Sequence, residues 1–247
     1  FSDMTGGVDF YHFMEELDGH FEEGWEEAAK KLTELTRQLF RPENLIVSYT
    51  GEKKSLEGLL KEAEALQKAL YPDTGAPQVL RALVPEHKIE GLKTSAQIQY
   101  VARAGSFREA GLPYTGALKV LRIIMSYDYL WNNVRVKGGA YGCMNNYTRT
   151  GSGYMVSYRD PNLEKTNEIF EESVDYTKHF TVSERDMTKY IIGTISSMDT
   201  PLNPNAKGMR SLSAWMTGVT GEQVQKERDQ VLGCGCEEIR ALAPYLQ

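Results

Sequence analysis

Leu130-Trp131-Asn132-Asn133-Val134-Arg135-Val136-Lys137-Gly138-Gly139-Ala140-Tyr141-Gly142 joins a helical pattern to a hairpin pattern. It sets a cation, a glycine pair and a phenol at the corner where the chain changes direction. Rigid elements on both sides fix such a corner, while its loop backbone leaves room for a ligand. Arg135 and Tyr141 are therefore the first candidate site residues. A guanidinium and a phenol O–H both donate, so together they suit a peptide carbonyl, and their grip strengthens as that oxygen becomes an oxyanion. Spacing alone leaves the alternative open, since an ion-paired Arg and a half-buried Tyr are commoner in proteins.

Outward from this corner, residues 116–133 predict a helix with Leu118, Leu121, Ile124, Met125 and Tyr129 on its buried side. Residues 96–104 alternate as a strand does. Downstream, 140–149 and 153–159 read as strands joined by Thr150-Gly151-Ser152, a hairpin signal. Helices follow at 162–180 and 183–198, the second opening with Ser183 and Asp186 at capping-box spacing. A proline-bounded loop over 199–208 precedes helices at 209–217 and 221–232. Strands that return by hairpin and helices that come in runs give an α+β fold, an antiparallel sheet packed with helices.

Toward the amino terminus, Phe10, Phe13, Met14 and Leu17 form a helical stripe, and a second helix is expected over 22–40. A buried strand is expected at 44–51 and a third helix at 55–70, with Leu56, Leu59, Leu60, Ala63, Leu66 and Leu70 on one side. The pattern loosens between 71 and 91, where Pro72, Pro77 and Pro85 fall. Two domains are expected, 1–77 (helix, helix, strand, helix and linker) and 78–247. The first buries its apolar stripes poorly by itself.

The 247 residues, 41% of them hydrophobic, hold one large core or two modest ones. A net charge of −6 carries no electrostatic footprint for nucleic acid or anionic lipid. The longest apolar runs are too short to cross a bilayer. Neither nucleic acid nor membrane is expected as a partner. The chain opens at Phe1 without a basic-then-apolar leader, so it reads as an excised piece of something longer, in a cytoplasmic or organellar-matrix compartment. Cys143, Cys234 and Cys236 cannot all pair, and one residue between the last two is too few for an unstrained bridge.

Other chemistry is poorly served. His12-Phe13-Met14-Glu15-Glu16 has Glu16 where the inverted zinc motif H-x-x-E-H has its second imidazole. A solvated His beside glutamates is the expected reading. His179 suits a helix end, and Cys143 has no His near it in sequence and reads as a structural thiol. Gly138-Gly139-Ala140-Tyr141-Gly142 lacks the Lys-Ser/Thr of a phosphate loop.

The corner segment resembles the L-W-x-x-V-R-V-x-G-G-A-Y-G stretch of presequence-protease-like enzymes, within the pitrilysin/insulinase zinc peptidases. The resemblance continues through Ser157-Tyr158-Arg159-Asp160-Pro161-Asn162-Leu163, Ile191-Ile192-Gly193-Thr194-Ile195, and Pro204 with Lys207-Gly208. It implies two homologous halves, each with two α+β domains, closing around an unfolded peptide. The amino-terminal half, on the same chain or a partner chain, carries zinc on H-x-x-E-H. This chain matches the late part of the metal-free second half, the end of a third repeat domain and most of a fourth, with no cofactor of its own. Arg135 and Tyr141 match the pair that in the family orients the scissile carbonyl, and 157–163 and 191–195 look structural. The same fold also serves as a zinc-free structural or assembly subunit, the alternative implied. Two departures stand out: the zinc-bearing half is not in this sequence, and the chain stops at Gln247 where the family adds a final strand.

Overall fold

The computed structural model describes residues 6–72 and 89–247. The chain divides into two compact units, with the division after residue 87. The expected boundary between 77 and 78 lies outside the described residues.

In the first unit, α1 (Val8–Gly19), α2 (Phe21–Leu39) and α3 (Leu56–Ala69) form where the stripes lie. Glu22 and Glu23 in the first turn of α2 and Arg37 in its last complement the helix dipole. None of the three helices buries a residue. Of the expected α3 stripe, Leu56, Leu59, Ala63 and Leu70 are half-buried while Leu60 and Leu66 are exposed, and Phe13, Trp25 and Leu32 also face outward. The strand expected over 44–51 does not form. Pro42–Asn44 makes a 3₁₀ turn, and an irregular run with Ile46 and Val47 exposed follows it. A strand needs a ladder partner for its N–H and C=O groups, and this unit has no other strand among its described residues.

The second unit is organised on α4. Ala117–Ile124 is α-helical and continues without a break through π-helical turns at Met125–Tyr129 and Trp131–Lys137. Leu118, Val120, Leu121, Ile124, Met125, Leu130 and Val134 are fully buried. So broad an apolar face packs into the core, while Lys119, Arg122 and Tyr127 lie on the helix's outer side. The helix runs past its expected end at 133 because nothing in Val134-Arg135-Val136-Lys137 stops it; the first stop signal is the glycine pair.

A three-stranded antiparallel sheet, order β1-β3-β2, comprises β1 (Gln99–Ser106), β2 (Gly142–Tyr147) and β3 (Ser152–Asp160). β3 is central and pairs with both neighbours, Val156 opposite Ala102 and Met144. The hairpin turns at Gly151, whose φ of +104° lies in the left-handed region. Around the sheet and α4 come α5 (Glu164–Lys178), α6 (Glu184–Met198), α7 (Pro204–Thr217), α8 (Gly221–Leu232) and the short α9 (Cys236–Arg240). The helix α7 starts inside the expected loop because Asn203 caps Ala206 N–H and Pro204 occupies the first helical position, where its missing N–H costs nothing.

At α6, Ser183 Oγ accepts from Asp186 N–H at 3.2 Å and donates to the Asp186 carboxylate at 2.7 Å. Ser183→Ala is expected to lower stability by about 1 kcal/mol, the usual cost of a lost N-cap. A urea-unfolding midpoint equal to that of the parent would show that the cap contributes nothing.

Candidate functional site

The site residues are placed by how α4 ends. Val134 is buried and the neighbouring Arg135 exposed. The π-helical turn, with its i→i+5 bonding, sets which way each residue of this last stretch faces. The Arg135 guanidinium carbon lies 4.1 Å from the centre of the Trp131 ring, one turn earlier. This stacking holds the planar cation by its face and leaves its N–H edge open. The two glycines that follow have different tasks. Gly138 approaches the helix so closely that a Cβ would stand 2.4 Å from Val134 O. Gly139 adopts φ +82°, a left-handed C-terminal cap, with its N–H on Arg135 O at 2.9 Å.

Beyond the bend, Tyr141 is 59% exposed. Its N–H bonds to Arg159 O at 3.2 Å, its ring meets Tyr158 edge-on at 5.6 Å, and the Arg159 guanidinium lies 5.4 Å over its face. Among the described residues Arg159 is the one non-glycine with positive φ, +48°. A left-handed residue costs on the order of 1 kcal/mol and persists where surrounding structure demands it.

Behind the bend lies a polar brace. Asp160 is fully buried; its carboxylate accepts from Thr166 O–H at 2.8 Å and from Asn162 N–H at 2.9 Å. The Asn162 side chain then donates to Gly138 O at 2.6 Å. The Arg159-Asp160-Pro161-Asn162 segment is thus both the end of β3 and the support of the glycine bend.

Arg135 and Tyr141 thus sit at the two ends of one braced corner, both facing solvent. Among the described residues neither the guanidinium nor the phenol O–H is engaged in an internal hydrogen bond or ion pair. The ordinary alternative, a salt-bridged Arg and a half-buried Tyr, is not what the fold builds. Sequence reasoning missed the stacking partner Trp131, whose i, i+4 relation to Arg135 becomes meaningful only once the helix extends that far. It also missed Arg159 over Tyr141, for which periodicity offers no signal.

Nucleophile and metal chemistry find no support here. Burial pushes the Cys143 thiol up to about 11, against a smaller opposing pull from the Arg135 charge. Burial likewise takes Cys234 to about 12. His12 and Glu15 are exposed and 3.6 Å apart on α1. Among the described residues no three His, Cys, Asp or Glu cluster as a metal would require, so the described residues do not fit a zinc site. Nor is any described helix long and apolar enough to cross a membrane.

The architecture defines a class, an α+β fold in which helices pack on a small antiparallel sheet. A peptidase M16 inactive domain from Pseudomonas fluorescens superposes with a TM-score of 0.52 at 14% identity, covering 76% of this chain and 47% of that one. The likeness at that identity is one of fold. The chain belongs to the PreP C-terminal domain family, whose model matches residues 90–246. Protein HypA of Clostridium perfringens is 35% identical over 248 aligned residues, spanning 100% of this chain and 25% of that protein. Presequence protease 1 of Arabidopsis thaliana, chloroplastic/mitochondrial, is 32% identical over 244, spanning 98% and 22%. The chain therefore spans about a quarter of the length of the curated relatives it matches.

Proposed function

We propose that this chain is the substrate-presenting, metal-free part of a zinc-dependent endopeptidase that degrades unfolded peptides in a closed chamber. It works with an amino-terminal zinc-bearing half, on the same chain or on a partner. Arg135 and Tyr141 donate to the carbonyl oxygen of the bond to be cut and hold it as negative charge develops there. The observation that carries this reading is that both donors face solvent, unengaged, from a corner braced by Asp160 and Asn162. Family membership and the relatives named presequence protease support the reaction class. Neither donor is a base or a metal ligand, so the attacking chemistry comes from elsewhere. The domains 1–77 and 78–247 then serve as the end of a third repeat and most of a fourth, in a cytoplasmic or organellar-matrix enzyme.

Metal analysis and a quenched-peptide assay test this reading. The complete protein is expected to cleave an unfolded peptide and to lose that activity to a chelator, whereas the 247-residue chain alone holds no stoichiometric zinc and leaves the peptide intact. One tightly held zinc per 247-residue chain, with chelator-sensitive cleavage by that chain alone, overturns it.

A further inference from the structure

A cavity of about 400 Å³ opens between α4, α6, α7, α8 and the β2–β3 turn. Four cations line it: Lys119 and Arg122 from α4, Arg149 from the turn, and Arg210 from α7. The one acidic lining residue is Glu227 of α8, so the lining carries 4 − 1 = +3 in a chain whose net charge is −6. That carboxylate is already committed. Both its oxygens accept from Arg149, at 2.6 and 2.8 Å, and Lys119 lies 3.5 Å away.

Arg122 and Arg210 form no ion pair with a carboxylate among the described residues. Asp199, whose charge Arg210 feels, has both oxygens taken by Arg228 at 2.6 and 2.7 Å. Lys119 and Arg122 are also three apart on one helix, a like-charge spacing that is unfavourable by itself. Convergent cations around a hollow whose one carboxylate balances only part of their charge are the electrostatic signature of an anion site. Guanidinium forks fit oxyanions in a bidentate way, and the Ser197 and Ser213 hydroxyls in the same wall add neutral donors. A surplus of three charges matches a multiply charged anion better than a single carboxylate.

We propose that this cavity binds a small phosphate-class anion, gripped between Arg122 and Arg210, with Lys119 and Arg149 adding to the field. The inference stands apart from peptide cleavage and requires no peptidase activity to test. The probe is inorganic pyrophosphate, titrated calorimetrically into the 247-residue chain at low ionic strength, where screening is weakest. Saturable one-to-one binding is expected, weakened at least about tenfold in the Arg122→Gln/Arg210→Gln double variant. Both side chains are exposed, so the double variant is expected to keep the parent melting temperature. Arg103→Gln, which removes a surface pair with Glu171, leaves binding unchanged. The proposal is overturned by absent binding at millimolar pyrophosphate, by equal binding in the double variant, or by capture of an acidic peptide in preference to pyrophosphate.

Discussion

In the complete protein, Arg135→Ala and Tyr141→Phe are each expected to lower kcat/KM by roughly 10²-fold, the usual cost of losing one donor to a developing oxyanion. The two substitutions probe different things. Tyr141→Phe keeps the ring that meets Tyr158 and lies under Arg159, so it removes a single O–H from an exposed position and leaves the fold alone. Arg135→Ala removes both the donors and the packing on Trp131; Arg135→Lys restores charge without the fork and is expected to recover only part of the loss. Steady-state turnover of a short quenched peptide is the measurement. Normal kcat/KM in both variants shows that these side chains do not touch the reacting carbonyl.

The largest expected effect on stability comes from the brace. Asp160→Ala strands the Asn162 N–H and the buried Thr166 hydroxyl, and frees the end of β3 from the start of α5. Hydrogen bonds to a charged acceptor contribute on the order of 1.5–3 kcal/mol each, so a loss of about 3 kcal/mol is expected. Asp160→Asn keeps an acceptor oxygen and is expected to cost clearly less. Urea unfolding followed by circular dichroism reads both. Because Asn162 also holds Gly138 O, Asp160→Ala is expected to lower turnover as well, through misplacement of the bend. An Asp160→Ala chain within about 0.5 kcal/mol of the parent, the range of ordinary surface substitutions, removes the brace from the account.

These expectations rest on features that differ in how openly the chain displays them. The central helix is legible because Leu118, Leu121, Ile124, Met125 and Tyr129 recur at helical spacing and all five are buried. The hairpin is legible because Thr150-Gly151-Ser152 interrupts two alternating runs. The strand expected at 44–51 fails for the converse reason: Leu45-Ile46-Val47 has strand composition, but a strand exists only with a partner, and partnering is not a local property. The helical start at Pro204 hides behind a proline that resembles a loop signal and is in fact the first residue of a capped helix.

The site divides along the same line. The corner was readable as a place where a cation, two glycines and a phenol meet, but spacing alone left an ion-paired Arg and a half-buried Tyr as the commoner reading. Only the family resemblance put the pair forward as substrate contacts. The stacking of Arg135 on Trp131 was not readable, because it depends on π-helical turns that no periodicity announces. The left-handed Arg159 over Tyr141 was not, because nothing in its side chain favours that backbone. The basic cavity was invisible for a simpler reason: Lys119, Arg149 and Arg210 come from three elements and meet only after folding.

The most direct measurement compares a phosphinic transition-state analogue with the substrate it mimics, in the parent and in Arg135→Ala and Tyr141→Phe of the complete protein. Groups that grip the oxygen only as charge develops bind the analogue in proportion to kcat/KM. The account predicts that analogue affinity falls by roughly the same 10²-fold as kcat/KM, while KM stays within about threefold of the parent. Analogue affinity unchanged in both variants would contradict it.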